Sequence, residues 1–359
     1  MSTGEAATTP IHQGIVPGYL LARLAESDRY SHAARAAKQT LIAGRPTFHS
    51  TLELSIDADG ALVAEVTAAP TRTIFDAQNT ERLPGVIVRG EDDEPVADAS
   101  VNEAFDGLGA TFRMLLEAFE RDSLDGAGAA LNATVHYGED YDNAFWDGSR
   151  MVFGDGDGEV FTGFTRSVSV IGHELGHGVI QSTAGLVYQG QSGALNESIA
   201  DVLGVLTEQH LLGQTAGQAT WLVGEGIFTD AVQGRALRSM LEPGTAYDDD
   251  ELGKDPQPGH MRDYVTTDED NGGVHINSGI PNRAFALAAT TLGGSAWEGA
   301  GLAWYRALTG GLSSTAGFTA FAEQTVTAAA SIGTSVESAV RDAWVAVGVI
   351  EDARVRTPR

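Results

Sequence analysis

The sequence contains one short stretch in which two histidines and a glutamate could hold and use a metal ion. A helical pattern over residues 167–183 includes His173-Glu174-Leu175-Gly176-His177. Histidines four positions apart lie about 40° apart around a helix and one turn along it, so both imidazoles converge on one point. This arrangement suits tetrahedral zinc, and Glu174 is placed to reach a water at the open position. With nine histidines in the chain, a chance match is the alternative.

A second motif, in the next helical pattern, argues against chance. Residues 196–201 read Asn196-Glu197-Ser198-Ile199-Ala200-Asp201. Catalytic zinc takes three protein ligands and leaves one position for water, and two histidines with one glutamate are an established set. Glu197 is therefore the predicted third ligand, while Asp201 and Asn196 can each accept the free N–H of a ligating histidine. The alternative, a solvated face of carboxylates, is disfavoured by the pairing with the first motif.

Composition limits the chemistry and the partners. The 359 residues include 22 Lys and Arg, 49 Asp and Glu and no Cys, and the formal net charge is −27. Without Cys there are no disulfides, thiolate nucleophiles or cysteine-based metal sites. So acidic a chain disfavours nucleic acid and membrane surfaces as partners. Residues 1–13 carry no basic stretch followed by an apolar one, so no secretory signal is visible and cytoplasmic retention stays an alternative.

The elements that must position these residues form a mixed pattern. Apolar periodicity predicts a helix over residues 20–41, a hairpin or a strand-rich linker over 51–67, a long helix over 101–121, and strands at 133–137 and 151–153. Further helices are predicted over 167–183, 194–211, 282–292, 296–308, 315–330 and 336–347. A long Pro/Gly/Asp-rich loop spans about 244–273 and is expected to be functional.

Several motifs together resemble one family. The pattern His173-Glu174-x-x-His177 with Asn196-Glu197-x-x-x-Asp201 is similar to that of the gluzincins. The stretches 143–146, 151–158, 183–189, 192–195 and 270–282 resemble thermolysin-like metalloendopeptidases. The resemblance runs from about residue 74 to 349. The N-terminal part resembles the short propeptide of the protealysin subgroup, with the signature Pro17-Gly18-Tyr19-Leu20-Leu21, although Gly18 stands where related propeptides commonly have a second Pro.

This resemblance implies an α+β fold with two catalytic domains. The expected organisation is a propeptide over residues 1–50, ending somewhere between 45 and 72, a strand-rich domain over 51–182 that includes the zinc helix, and a helical domain over 183–359. The zinc helix then lies between the two domains, at the floor of the cleft.

The resemblance also implies a mechanism. Glu174 would take a proton from a water at the zinc ion and deliver it to the leaving amine. Tyr188 and His275 would stabilise the tetrahedral oxyanion, and Asp270 would orient the ring of His275. Each of these residues, seen alone, has an ordinary structural explanation. Their joint occurrence in the family's order favours the catalytic interpretation.

Substrate binding and calcium are inferred from the same resemblance. Arg238 would bind the substrate carbonyl beyond the cleaved bond, and Asn143 with the backbone of Ala144 would align the substrate as an added strand. A primed-side pocket that prefers a bulky apolar residue is expected from Phe161, Phe164, Val170, Val223 and Leu237. The double calcium site of secreted thermolysins is predicted to be absent, because only Glu208 and Glu225 remain of its acids. Residues 248–251 are an alternative calcium position.

The leading hypothesis is a zinc-dependent endopeptidase made as a self-processing zymogen. The basic N-terminal segment, with its apolar strip Pro17–Leu21, would fold back into the cleft of the acidic body until it is cut off between Arg45 and Arg72. Peptide or protein substrates, a monomeric state and export from the cell are expected. The alternatives are a plain N-terminal subdomain, an aminopeptidase, which is weakened because a Gly-x-Met-Glu-Asn segment is missing, and a catalytically silent zinc-binding or adhesion protein.

Overall fold

The computed structural model describes residues 14–43 and 68–351. The predicted hairpin or strand-rich linker over 51–67 and the predicted cut between 45 and 72 lie outside these residues, apart from positions 68–72. Two short helices open the description: α1, Gly18–Leu24, and α2, Ser31–Ala43. The prediction of one continuous helix over 20–41 was wrong. The chain turns at 25–30, where the Ser27 hydroxyl accepts a hydrogen bond from the Tyr30 amide at 3.1 Å.

A five-stranded mixed sheet forms the first half of the body. Its strands are β1, Arg72–Thr80; β2, Val86–Gly90; β3, Leu131–Tyr137; β4, Ala144–Trp146; and β5, Met151–Phe153. The spatial order is β2-β1-β3-β5-β4, with β1, β3 and β5 parallel and the two outer strands antiparallel to their neighbours. β3 and β5 were predicted. β4 was not, because three residues show no period, and it lies at the edge of the sheet that faces the cleft.

The long helix α3, Ala99–Phe119, packs against β1 and β3, as its apolar stripe predicts. The Asp98 side chain begins it by accepting hydrogen bonds from the amides of Ser100 and Val101, at 2.9 and 3.5 Å. Such an N-cap satisfies amides that have no partner within the helix. Its far end turns through Glu120 in the left-handed region.

Helices dominate the rest of the chain. They are α4, Val168–Gln181; α5, Gly190–Leu212; α6, Asp270–Asn277; α7, Gly279–Leu292; α8, Leu302–Thr309; α9, Phe318–Ala330; and α10, Thr334–Ala346. Five of the seven were predicted to within four residues at each end. The helix predicted over 296–308 begins as a π-helical turn, Trp297–Gly301, before α8, and α6 was not predicted. Two small hairpins lie between α5 and α6: β6, Leu222–Val223, with β7, Arg238–Ser239, and β8, Asp248–Asp249, with β9, Gly253–Lys254. Within residues 14–43 and 68–351, no helix has the length and apolar character needed to cross a bilayer.

Two glycines allow α4 and α5 to pack at unusually short distance. A Cβ on Gly204 would lie 2.3 Å from the Ser169 carbonyl oxygen, and a Cβ on Gly172 would lie 2.9 Å from the Thr207 hydroxyl oxygen. Neither position tolerates a side chain without displacement of backbone or buried groups. This close approach brings the middle of α5 against the two histidines of α4.

The N-terminal helices lie on the body through polar contacts as well as apolar ones. The Glu159 carboxylate accepts hydrogen bonds from the amides of His32 and Ala33, at 3.1 and 3.0 Å, at the beginning of α2. A carboxylate at this position complements the positive end of the helix. Farther along α2, the buried Thr40 hydroxyl accepts a hydrogen bond from the Asp142 amide at 3.0 Å. The acidic body therefore engages this segment partly through helix amides.

Candidate metal centre and active site

Three side chains from α4 and α5 form the candidate metal centre. The Nε2 atoms of His173 and His177 are 3.2 Å apart, and each lies 3.5 Å from an oxygen of Glu197. His173 and Glu197 are buried, and His177 is partly buried. Among the described residues, this is the one group of three or more His, Asp or Glu residues whose ligand atoms lie within 4.8 Å of one another.

Hydrogen bonds at the far side of each ring fix which nitrogen faces the centre. His173 Nδ1 lies 2.7 Å from Asp201 Oδ1, and His177 Nδ1 lies 2.8 Å from Asn196 Oδ1. The Asn196 amide nitrogen donates to the Leu186 carbonyl at 3.0 Å, which orients its oxygen toward His177. Both Nδ1 atoms therefore carry the proton, and both Nε2 lone pairs point inward.

This donor set fits a zinc ion. Two imidazole lone pairs and a carboxylate facing one another in a buried space repel unless a cation lies between them. Burial would raise the pKa of Glu197, but the positive charge around it, that of His275 above all, lowers it to about 2. The carboxylate is therefore ionised, as a ligand must be. Two histidines and one glutamate match a catalytic zinc set with one position left open.

Glu174 lies beside this centre, on the next position of α4. Its side chain is buried, and its Oε2 accepts a hydrogen bond from the Trp146 amide at 2.9 Å. Trp146 belongs to β4, so the edge strand of the sheet and the zinc helix are joined at the predicted catalytic carboxylate. No pattern in the sequence pointed to this backbone contact, because it depends on how the sheet meets α4.

Tyr188, His275 and Asp270 converge on the same point from the helical half. The Tyr188 hydroxyl donates a hydrogen bond to Glu197 and lies 3.2 Å from His275 Nε2. His275 Nδ1 lies 2.6 Å from Asp270 Oδ1, and its amide donates to Asp270 Oδ2 at 2.9 Å. Burial lowers the pKa of His275, but Glu197 and Asp270 outweigh it and raise the value to about 9. A phenol hydroxyl and the Nε2 of a histidine thus lie beside each other in the site.

Helix α6, which carries Asp270 and His275, has a backbone that explains why its period was missed. Asn271, Gly272 and Gly273 all have positive φ, between 52° and 82°. This left-handed turn lets the Asp270 carboxylate fold back onto the ring and amide of His275. Since glycine adopts such angles without strain, the Asn-Gly-Gly sequence is the local signal for it.

Asp201 joins the metal centre to a second group of residues. Besides accepting from His173, its carboxylate accepts from Arg238 Nε at 2.9 Å and Nη2 at 2.8 Å, and from the Asn282 amide at 2.8 Å. Burial opposes its ionisation, but Arg238 and His173 hold the pKa of Asp201 well below its usual range. Asn282 was not singled out as a site residue from the sequence, although it ends the stretch 270–282.

The predicted substrate-binding residues hold the protein's own N-terminal segment. Arg238 Nη1 donates to the Ile15 carbonyl at 3.0 Å, and the Ile15 amide donates to the Ala144 carbonyl at 3.0 Å. The Asn143 side chain accepts from the Val16 amide at 2.9 Å and donates to the Val16 carbonyl at 3.1 Å. Residues 15 and 16 make these contacts. The strip Pro17–Leu21, which was expected to enter the cleft, forms the beginning of α1.

The acids connected with calcium have other surroundings. Burial and the charge of Glu225 raise the pKa of Glu208 to about 6. Asp249, within the alternative stretch, accepts hydrogen bonds from the amides of Gln233, Glu251 and Leu252 at 2.8 to 3.0 Å. These contacts give Asp249 a structural role in its loop, and the missing double calcium site stays a prediction.

Comparison with known proteins identifies the same family across both halves. A family model described as the thermolysin metallopeptidase catalytic domain matches residues 52–181, and one described as the alpha-helical domain matches 184–349. An extracellular metalloprotease of Pectobacterium carotovorum subsp. carotovorum is 52% identical over 280 residues, which cover 77% of this chain and 81% of that protein. Protease PrtS of a Photorhabdus species (strain Az29) is 46% identical over 350 residues, covering 94% and 92%.

A solved structure resembles the whole described fold. It is a precursor of protealysin, a metalloproteinase from Serratia proteamaculans, with a TM-score of 0.85 and 47% identity, and the match covers 94% of this chain and 100% of that one. The predicted α+β architecture is confirmed, while the domain boundaries and the roles of individual site residues stay predictions. Together with the three-residue metal centre, these similarities place the chain in the thermolysin family of metallopeptidases, protealysin-type group, as a zinc metalloendopeptidase.

Proposed function

We propose that the chain hydrolyses peptide bonds through a water deprotonated by Glu174, at a zinc ion held by His173, His177 and Glu197. The observation that carries this proposal is the inward-facing donor set with a buried carboxylate beside it. When bound there, zinc supplies Lewis acidity to a substrate carbonyl and to a water. Every other part of the mechanism belongs to the chain's own side chains.

Glu174 is the general base and then the acid. The Trp146 amide holds one of its oxygens at 2.9 Å, which orients the carboxylate for a proton transfer from water and then to the leaving amine. Tyr188 and His275 donate hydrogen bonds to the oxyanion that develops on the attacked carbonyl. Asp270 keeps the His275 ring oriented, so these donors are in place before the reaction.

Substrate binding follows the contacts that the N-terminal segment makes. Arg238 holds a substrate carbonyl, while Ala144 and Asn143 bind the extended backbone as an added strand. The Ile15 side chain is fully buried, which supports a preference for a bulky apolar residue at this position. The predicted pocket residues belong to the same buried apolar cluster as Ile15: Phe161, Phe164, Val170, Val223 and Leu237.

The test of peptidase activity is casein hydrolysis by the processed protein, with and without 1,10-phenanthroline, combined with metal analysis. Loss of activity on chelation, its return on adding zinc, and one zinc ion per chain are the expected results. Full activity after removal of zinc would overturn the mechanism. A Glu174→Gln variant that keeps its zinc but loses activity separates the base from the metal centre.

The segment before residue 45 acts as an inhibitory propeptide in this proposal. Its support is the occupation of Arg238, Asn143 and Ala144 by Ile15 and Val16, since a substrate would need the same groups. Wild-type protein should shorten by cleavage between residues 45 and 72, and Glu174→Gln should stay full length. Equal shortening of both proteins would contradict self-processing. Relatives named as extracellular support export of this chain, which detection of the processed protein in culture medium would test.

A further inference from the structure

The N-terminal segment lies along β4 in a direction that can be read from its hydrogen bonds. Val16 is bonded to the Asn143 side chain, and Ile15 to the Ala144 carbonyl. The segment therefore runs antiparallel to β4, and its earlier residues lie beside later residues of the strand, toward Trp146. Because the Trp146 amide is bonded to Glu174, the direction from Ile15 to Gly14 leads toward the strand residue that holds the catalytic carboxylate.

The same contacts distinguish the two peptide bonds that flank Ile15. The carbonyl of the Ile15–Val16 bond is held by Arg238, and this guanidinium is itself fixed by Asp201. That carbonyl is therefore bound to a fixed cation. The next bond toward Glu174 is Gly14–Ile15, and its nitrogen is already held by the Ala144 carbonyl at 3.0 Å.

Gly14 suits close approach to the strand. A Cβ at this position would lie 2.8 Å from the Ala144 carbonyl oxygen and 2.8 Å from Asn143 Cγ. Gly14, Ile15 and Val16 are all buried. The segment thus fills the substrate position with a bulky apolar residue immediately after a glycine. Among the described peptide bonds of the segment, the one between them lies farthest along β4 in the direction of Trp146 and Glu174.

We propose that the precursor cleaves its own Gly14–Ile15 bond while the segment is docked, so that the propeptide begins at Ile15 before it is released. This inference rests on the proposed peptidase function. In the step, the oxygen of a water deprotonated by Glu174 joins the Gly14 carbonyl carbon, and the carbon–nitrogen bond breaks. The proton passes from Glu174 to the Ile15 nitrogen, which leaves as an amine, and Gly14 ends as a carboxylate.

The cut does not by itself free the site. Ile15 and Val16 keep their bonds to Arg238, Ala144 and Asn143, and α1 and α2 remain attached to the body through buried contacts. The fragment 1–14 leaves, whereas the propeptide from Ile15 onward stays in place as a bound product. Activity then appears only after a second cleavage in the segment between residues 45 and 72. The inference therefore predicts two ordered cuts.

The experiment follows freshly purified full-length protein by intact mass spectrometry and sequences the N-termini. We expect loss of residues 1–14 before or together with the linker cut, and a released propeptide that begins at Ile15. The rate of the first cut should not change over a 100-fold dilution, because the reaction is intramolecular. A released propeptide that still contains residues 1–14, from a protein that then hydrolyses casein, would overturn this inference and leave the peptidase proposal standing. Absence of casein hydrolysis would instead count against the peptidase proposal.

One pair of variants and one mixing experiment sharpen the result. Ile15→Val should be cut at nearly the wild-type rate, whereas Ile15→Asp should lose the first cut by at least about tenfold, because it places a carboxylate in an apolar pocket. The linker cut should persist in both. Glu174→Gln mixed with processed wild-type enzyme should not be cut between Gly14 and Ile15, since the docked bond is covered. If the Gly14–Ile15 bond of the Glu174→Gln protein in this mixture were cut as fast as that of the wild-type precursor, the result would contradict an intramolecular reaction.

Discussion

The Asp201 carboxylate accepts hydrogen bonds from Nε and Nη2 of Arg238 and also holds His173 Nδ1, at distances between 2.7 and 2.9 Å. A residue that orients a metal ligand thereby also fixes the cation that binds the peptide backbone. In the proposed function, metal binding and peptide binding therefore depend on one buried carboxylate.

The first prediction concerns this carboxylate. Asp201→Ala should weaken zinc binding by about 10- to 100-fold, as is typical when the partner of a ligating histidine is removed. It should also lower the free energy of unfolding by about 3–5 kcal/mol, because Arg238 is left buried without its partner. Competition with a chromophoric chelator and urea unfolding, both in the Glu174→Gln background, measure the two effects. Asp106→Ala, on an exposed face of α3, is the control, and equal zinc affinity in both variants would contradict the role of Asp201.

The second prediction concerns Gly204, the residue of α5 whose backbone packs against α4. Gly204→Ala places a methyl group 2.3 Å from the Ser169 carbonyl, so we expect the free energy of unfolding to fall by about 1–3 kcal/mol and zinc affinity to fall with it. Gly217→Ala is the matched control, because a Cβ there meets nothing within 4 Å. Urea unfolding and zinc titration of both variants test this. A stable Gly204→Ala protein with normal zinc affinity would show that close helix packing is not required.

The third prediction concerns His136, which lies between Asp155 and Asp98 at 2.8 to 2.9 Å. The hydrogen bond to Asp155 is the largest influence and, with Asp98, outweighs burial to raise the pKa of His136 to about 9. A raised histidine pKa stabilises the fold fully below the ordinary value of about 6.5, and this stabilisation is lost as pH rises through about 9. Asparagine tolerates the positive φ of 53° at this position. The substitution His136→Asn should therefore lower the free energy of unfolding by about 1–3 kcal/mol at pH 6 and by little at pH 10.

The measurement for His136 is urea unfolding at both pH values in the Glu174→Gln background. The control is His210→Gln, because His210 pairs with one exposed carboxylate, that of Glu117, at 3.1 Å. This substitution is expected to lower the free energy of unfolding by less. A cost for His136→Asn that is the same at pH 6 and pH 10 would contradict a charged histidine at this position.

The fourth prediction concerns a carboxylate covered by the propeptide. Asp142 is fully buried, and its backbone amide donates a hydrogen bond to the Thr40 hydroxyl of α2. Burial, the charge of Asp157 and the hydrogen bond with it raise the pKa of Asp142 well above its usual range, and Asp140 adds to this. Asp140 also pairs with His32 of α2 at 3.2 Å. An acid with a raised pKa stabilises the docked state below its ordinary pKa, and the stabilisation is lost as pH rises through the raised value.

Docking of α2 should therefore weaken from pH 5 to pH 9. Hydrogen exchange of the α2 amides in full-length Glu174→Gln, corrected for intrinsic exchange rates, measures this. Adding Asp142→Asn, which keeps the size of the side chain but cannot ionise, should flatten the dependence on pH. Protection that is unchanged across this range, or equally dependent on pH in both proteins, would contradict a link between the raised pKa of Asp142 and the docking of α2.

Some parts of the site follow from the sequence and others do not. The placement of His173 and His177 on one face follows from the period of a single helix. Glu197 could be predicted as the third ligand from the second motif, on the next helix. The contact between Trp146 and Glu174 is not local, because it requires a three-residue strand to meet α4. The hydrogen bond between Ile15 and Ala144 is also a long-range contact, because the two residues lie far apart in the sequence.

The break between α1 and α2 has a different cause. Periodicity continues across residues 25–30, but the turn there is stabilised by contacts with the body: the Ser27 hydroxyl lies 2.6 Å from Glu251, and the Tyr30 hydroxyl donates to the Ala231 carbonyl at 3.0 Å. Tertiary contacts of this kind override local helix preference. Sequence periodicity alone therefore merged two helices into one.

The most direct test of the central claim is a zinc-edge anomalous diffraction measurement on crystals of the full-length Glu174→Gln protein. The account predicts one strong zinc peak, within bonding distance of Nε2 of His173, Nε2 of His177 and the carboxylate of Glu197, with Ile15 held by Arg238 nearby. A zinc-loaded, correctly folded protein in which the peak lies elsewhere, with these three side chains not bound to it, would contradict the account.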